Sequence, residues 1–274
     1  MLKRTVSGAV FVAVVVGFFL LRENVDARLF QILTGFFQIV ATVELALALK
    51  RFIGKARACV LFVYAGLFSP VYCLGEYLIS GVSGVVLALC LTALFVLILS
   101  VLALVDKAGL KKWSLSIFGL VYPSLLILFT LLACDLKNSF TALLLIFVIS
   151  PCCDTTAYLV GSAIGGKKLC PKLSPKKTWS GAIGGLFGAI IGSIVVYFAI
   201  RPVINFFSPV LFFVLVGLVA GVLTEVGDLF ESFIKRKAGI KDSGNIMPGH
   251  GGILDRIDGM MFAGVFICLA FLLV

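Results

Sequence analysis

The residues best equipped for chemistry lie between Glu225 and Asp258. Glu225, Asp228, Ser232 and Lys235 are three or four positions apart, so on a helix they share one face. Arg236, Lys241 and Asp242 follow, then Pro248, Gly249, His250, Gly251 and Gly252, then Asp255, Arg256 and Asp258. Asp255 and Asp258, three apart, open a further helix and offer a second pair of acids to face the first. Carboxylates grouped in this way suit magnesium, which takes a few acidic ligands and keeps its other positions for water and substrate phosphates. Lys235, Arg236, Lys241 and Arg256 are the cations to neutralise those phosphates. Glycines around His250 permit a sharp turn or a close approach of backbone to a ligand, so His250 is read as shaping backbone or touching phosphate and not as a base. The plainer alternative is a charged loop with incidental salt bridges. Such loops seldom combine acids at helical spacing, a glycine-rich turn and interleaved bases.

Two upstream segments belong beside this one. In Ser150-Pro151-Cys152-Cys153-Asp154-Thr155-Thr156-Ala157-Tyr158 a proline precedes an acid inside an apolar run. Proline removes a helical hydrogen bond and an acid is costly in hydrocarbon, so a helix broken around a polar cavity is expected; the alternative is an Asp154 that only pairs with a neighbouring helix or reaches an interface. Gly161 to Lys168 nearly spells a phosphate loop, but Lys168 stands where a magnesium-binding hydroxyl belongs and the segment ends a helix, so that reading fails. Next, Lys172, Ser174, Lys176, Lys177 and Thr178 precede a helix amino terminus. Free amides and the helix dipole favour an anion there. Ordinary topology would explain the lysines but not the hydroxyls and Trp179 among them.

The elements that carry these residues are set by composition. Of 274 residues, 61% are hydrophobic and 13% charged, against about a quarter charged in an ordinary soluble domain. A bilayer absorbs that apolar surface where water would not. At about 20 residues per span, helices are expected near Val6–Leu21, Leu29–Leu49, Ala58–Tyr72, Val82–Val105, Ser114–Cys134, Phe140–Ile164, Gly181–Ile200, Pro209–Leu229 and Ile257–Val274. The expected fold is thus all-α, a polytopic membrane protein of about nine transmembrane helices in one integral membrane domain (1–274), with its cytoplasmic catalytic part built mainly from 150–181 and 224–259. The apolar start after Lys3 and Arg4 lacks a cleavage site and reads as the first helix. The eight cysteines are scattered and read as small buried hydrophobes, with neither disulfide framework nor zinc site. Gly184, Gly188 and Gly192, and likewise Gly217 and Gly221, recur every four residues and mark close helix packing.

The net charge of +10 needs no nucleic acid. Nineteen of the 23 lysines and arginines fall in alternate loops, leaving Arg22, Arg28, Lys137 and Arg201 for the other side. By the positive-inside rule the amino terminus is cytoplasmic, the carboxyl terminus outside and the charged site cytoplasmic. The expected setting is the inner (plasma) membrane of a bacterium.

The run Ser232-x-x-Lys235-Arg236-x-x-x-x-Lys241-Asp242, followed by Pro248-Gly249-His250-Gly251-Gly252-x-x-Asp255-Arg256-x-Asp258, resembles the signature of phosphatidate cytidylyltransferases. Asp154-Thr155-x-Ala157-Tyr158 and Leu173-Ser174-Pro175-Lys176-Lys177-Thr178-Trp179 resemble that family's upstream motifs. The resemblance covers Asp154 to Asp258. It implies that CTP and phosphatidic acid give CDP-diacylglycerol and pyrophosphate with magnesium required, and leaves open a second, monovalent cation. It also implies a metal centre at Asp228, Asp255 and Asp258 and functional importance for Ser232 and Lys235. From the chemistry of the residues themselves, substrate contacts are expected from Asp154, Lys172, Ser174, Lys176, Lys177, Thr178, Arg236, Lys241, His250 and Arg256. The lipid phosphate is already a nucleophile, so charge cancellation and in-line placement matter more than a base. Two rivals remain at this point. An ion-coupled transporter would use Asp154 and Glu225 but calls for polar positions deeper in helices one to five, where Glu44 is the only acid within a span. A related lipid cytidylyltransferase or lipid kinase would differ in its acceptor. The glycine-spaced helices leave room for a homodimer.

Overall fold

The computed structural model describes residues 2–78, 83–107, 109–249 and 251–274, with side chains from Val6 onward. Among these residues the chain forms nine α-helices: α1 (Leu2–Asn24), α2 (Leu29–Ile53), α3 (Lys55–Tyr77), α4 (Gly84–Val105), α5 (Leu110–Ala133), α6 (Ser139–Ile164), α7 (Trp179–Ile200), α8 (Pro209–Ala238) and α9 (Leu254–Leu272). Eight of them, α1 to α8, are long and apolar enough to cross a membrane. In α9 the first two turns hold Asp255, Arg256 and Asp258, which leaves a shorter apolar run than the others have. Between α6 and α7 lies an antiparallel hairpin, β1 (Lys168–Cys170) and β2 (Ser174–Thr178), paired Lys168 with Thr178 and Cys170 with Ser174. The sequence does not announce it, since Ser-Pro-Lys-Lys-Thr lacks the apolar alternation that marks a strand. Pro175 is tolerated because a two-stranded hairpin has only edges.

The chain packs as two compact units, residues 1–128 with 240–255, and residues 129–239 with 256–274. In the first, α1 to α4 pack in sequence order, and the buried polar groups answer one another. Gln38 donates to Ser124 Oγ (3.0 Å) and accepts from Ser69 Oγ (3.1 Å), while Tyr64 and Thr92 share a hydroxyl bond of 3.0 Å. Such pairing is required where no water reaches, because an unmet polar group in hydrocarbon costs several kcal/mol, of order 2–7. At its edge, Arg57 reaches Asp106 at 2.8 Å.

The second unit is built on small residues. A Cβ on Gly184 would stand 2.6 Å from Val160 Cβ, and one on Gly192 would stand 3.2 Å from Cys152 Sγ, so α7 lies directly on α6. A Cβ on Gly217 would meet Ile190 Cα at 2.8 Å and one on Gly221 would meet Ala189 at 2.7 Å, which seats α8 on α7. The expected close packing at both glycine series is therefore present. A third crossing, of α8 on α9, uses Gly227 and Gly259, whose Cβ atoms would fall 2.8 Å from Asp258 O and 2.8 Å from Thr224 Cγ2.

One expectation is corrected. Pro151 does not break its helix, because α6 runs without interruption from Ser139 to Ile164 with the proline inside. The missing N–H removes one bond from a ladder of 26 residues, and the neighbouring bonds and the packing of α7 hold the rest.

Candidate active site

Asp154 stands in the last half of α6, four turns from the amino end and beyond the proline. The chain leaves that helix through Gly165 and Gly166, both at positive φ (67° and 105°). This left-handed pair, which residues with a Cβ rarely adopt, turns the hairpin back alongside α6. The hairpin is closed onto α7 by Thr178, whose Oγ1 accepts from Gly181 N at 3.1 Å as the helix cap, and by Ser180, whose hydroxyl donates to Gly165 O. At the far end of α8, Arg236 Nε donates to Leu173 O at 3.4 Å in the hairpin turn. Pinned in this way, β2 aims Lys177 inward.

Helix α8 supplies the opposite wall. It continues past Leu229 to Ala238, as the shared face of Glu225, Asp228, Ser232 and Lys235 requires. Lys177 Nζ sits 2.5 Å from Glu225 Oε2 and 2.7 Å from Asp228 Oδ2, one ammonium between two carboxylates. Burial alone would lower the pKa of Lys177. The charges and hydrogen bonds of Asp228 and Glu225 outweigh it and hold the ammonium above the usual lysine range, so it stays charged.

Beside this clamp opens a cavity of about 460 Å³, lined among others by Asp154, Tyr158, Lys168, Lys176, Lys177 and Asp228. That is within the usual size of a small-molecule site, about 300–1,000 Å³. Its lining carries both signs of charge, lysines from the hairpin and acids from α6 and α8, with Lys177 locked between Glu225 and Asp228. The acidity extends behind it. Asp154 lies within electrostatic reach of Asp228, Glu225 and Arg256, and Asp258 within reach of Glu231, Asp228 and Asp154. The Gly227–Gly259 crossing is what brings Asp258 to Asp228.

Of the residues expected from the sequence, Asp154, Lys176, Lys177, Thr178 and Asp228 line the cavity, and Asp258 and Arg256 are electrostatic neighbours of its acids. Lys172 lies exposed at the hairpin turn, and Ser174, half-buried, opens β2. Ser232 is half-buried on α8, whereas Lys235 is drawn to Glu231 one turn back at 2.5 Å. Asp255 and Lys241 belong to the other unit, where Asp255 Oδ2 accepts from Ser243 N (2.8 Å) and Gly252 N (2.7 Å) and Lys241 is exposed. His250 lies outside the described residues. Two acids outside the expected metal and substrate contacts now join them, Glu225 having been placed only on the shared face of α8. Glu225 holds Lys177, and its signal was its place on the α8 face; Glu231, whose side chain is 1% exposed, carries the i, i+4 spacing to Lys235.

The donor set is all oxygen, the chemistry of a hard dication. Among the described residues no three acid, histidine or cysteine side chains converge as a ready cage.

The chain also resembles known proteins. The profile described as "Cytidylyltransferase family" matches residues 2–274. A protein of Brucella abortus biovar 1 (strain 9-941) named phosphatidate cytidylyltransferase is 40% identical over 140 residues, 51% of this chain and 50% of that protein. One of the same name from Rickettsia prowazekii (strain Madrid E) is 33% identical over 201 residues, 68% of this chain and 85% of that protein. In the Brucella match the chain spans about half the length of its relative. With the profile matching 2–274 and 85% of the Rickettsia protein covered, this integral membrane chain belongs to the cytidylyltransferase family.

Proposed function

We propose that the protein is a phosphatidate cytidylyltransferase, which joins CTP to phosphatidic acid and releases pyrophosphate. The observation that carries the reading is the cavity at the Glu225–Lys177–Asp228 clamp, whose lining combines Lys168, Lys176 and Lys177 with Asp154, Glu225 and Asp228. A lipid phosphate oxygen attacks the α phosphorus of CTP; the bond from that phosphorus to the bridging oxygen of the β,γ unit breaks, and pyrophosphate leaves with the electron pair. Lys168, Lys176 and Lys177 lie where they would neutralise the triphosphate, and Arg236 and Arg256 would draw the lipid phosphate. Ser232 and Lys235, on the same face of α8 as Asp228, are proposed to act with them, Lys235 being held to Glu231. Asp228 and Asp258 are the residues proposed to hold magnesium, which when bound would cancel charge on the phosphates and on the leaving group. A base is not required, because the attacking oxygen is already anionic. We place this chemistry on the cytoplasmic face of a bacterial inner membrane, where CTP is available and the lipid stays in its leaflet, and a homodimer is compatible with it.

The test is the purified protein in detergent with CTP, phosphatidic acid and magnesium. CDP-diacylglycerol forms, is lost on chelation and returns with added magnesium. Absence of product from phosphatidic acid, with product from another lipid phosphate, would reassign the acceptor.

A further inference from the structure

We infer that Glu44, in the middle of the apolar helix α2, is a positioning residue that holds the glycine-rich loop of residues 244–254 in its working shape; this rests on the function proposed above. Glu44 is 3% exposed. Its Oε1 accepts from Ile253 N at 3.1 Å and its Oε2 from Leu254 N at 2.8 Å, across some two hundred residues of sequence. These amides belong to the entry of α9, where helical N–H groups lack intrahelical partners. The loop is shaped around the acid. A Cβ on Gly252 or on Gly244 would collide with the Glu44 carboxylate, so glycine at both positions is what admits it. Gly249 and Gly251 turn the loop at positive φ (79° and 87°), and Met247 N donates to Gly251 O at 2.9 Å across the turn. From its other side the loop is tied by Asp255 through the Ser243 and Gly252 amides. One carboxylate from α2 and one from α9 thus fix both edges of a segment that includes the Pro-Gly-x-Gly-Gly run.

A carboxylate inside an apolar span is costly, and the two amide bonds and the cleared glycines are what offset it here. Neither nitrogen nor oxygen of a glutamine can replace both acceptors, since its NH₂ would face an N–H. An aspartate keeps the charge but falls short by one methylene.

The test compares the wild-type full chain with Glu44→Gln, Glu44→Asp and Gly252→Ala, whose added methyl presses on the same carboxylate from the loop side. Amide hydrogen exchange over 244–254 accelerates in all three while exchange in α6 and α7 stays unchanged. In the CTP and phosphatidic acid assay, kcat falls about 10–100-fold, the usual effect of losing an outer-shell partner. KM for CTP moves less than about threefold, because the cavity is lined by other residues. Unchanged loop exchange, or faster exchange with wild-type kcat, overturns the inference. A wild type that makes no CDP-lipid refutes the proposed function instead, and the exchange comparison still decides whether Glu44 holds the loop.

Discussion

At the scale of single residues, Lys177 decides how the site behaves. Its ammonium bridges Glu225 and Asp228 within 2.7 Å of each, so it neutralises two buried-side acids while facing the cavity where a triphosphate would lie. Losing it leaves two uncompensated carboxylates next to an anionic substrate. Lys177→Met is therefore expected to lower kcat/KM for CTP by about 10²–10³-fold, the scale for removing one preorganised charge from a phosphate-handling site. Lys177→Arg should recover little, since a planar guanidinium does not fit between two oxygens placed for a compact ammonium. Glu225→Gln, which removes one anchor and leaves Asp228, should cost less than Lys177→Met; steady-state kinetics on the three proteins check the order, and an equal loss in all three would contradict it. Much of this site is legible in the sequence because helix spacing is local: Asp228 and the α8 face follow from counting. Glu231, three residues after Asp228 and four before Lys235, borders that face, whereas the Lys177 clamp joins residues 48 apart in sequence, a pairing that spacing does not express. Glu44 carried a signal as the lone acid in an apolar span, but nothing in the sequence names its partners.

At the scale of elements, the site depends on how closely α6, α7 and α8 approach, and that depends on glycines. Gly184→Leu places a side chain where Val160 already stands 2.6 Å from the first added carbon. Overpacking of this kind costs about 1–3 kcal/mol, so the thermal midpoint in detergent should drop and activity with it. Gly66→Ala, on α3 with open space around it, serves as the control and should leave the midpoint unchanged or raise it slightly, since alanine is the better helix former by about 0.5–1 kcal/mol. Similar losses for both would mean that the glycines do not set the helix spacing. The helices themselves were foreseeable, with α2, α6, α7 and α8 beginning within two residues of their expected starts. The hairpin was not, because two short strands rich in lysine have no periodic signature. The unbroken α6 shows the limit of reading proline as a break, since packing against α7 overrides the loss of one bond.

At the scale of the whole molecule, the chain divides into two packed units, with the charged cavity in the second and the glycine-rich loop in the first. The distribution of lysine and arginine predicts that the loops after α2, α4, α6 and α8 are cytoplasmic. Single cysteines introduced at Lys111 and Lys176 should then be labelled by a membrane-impermeant reagent only after the inner face is opened, and one at Lys137 in sealed cells; the reverse pattern would invert the orientation. The most direct test of the central claim follows the phosphorus atoms of CTP. Given phosphatidic acid and magnesium, the protein is predicted to move label from [α-³²P]CTP into lipid and to release label from [γ-³²P]CTP as pyrophosphate. Label from the γ position appearing in lipid, with none from the α position, would make the protein a lipid kinase and contradict the account.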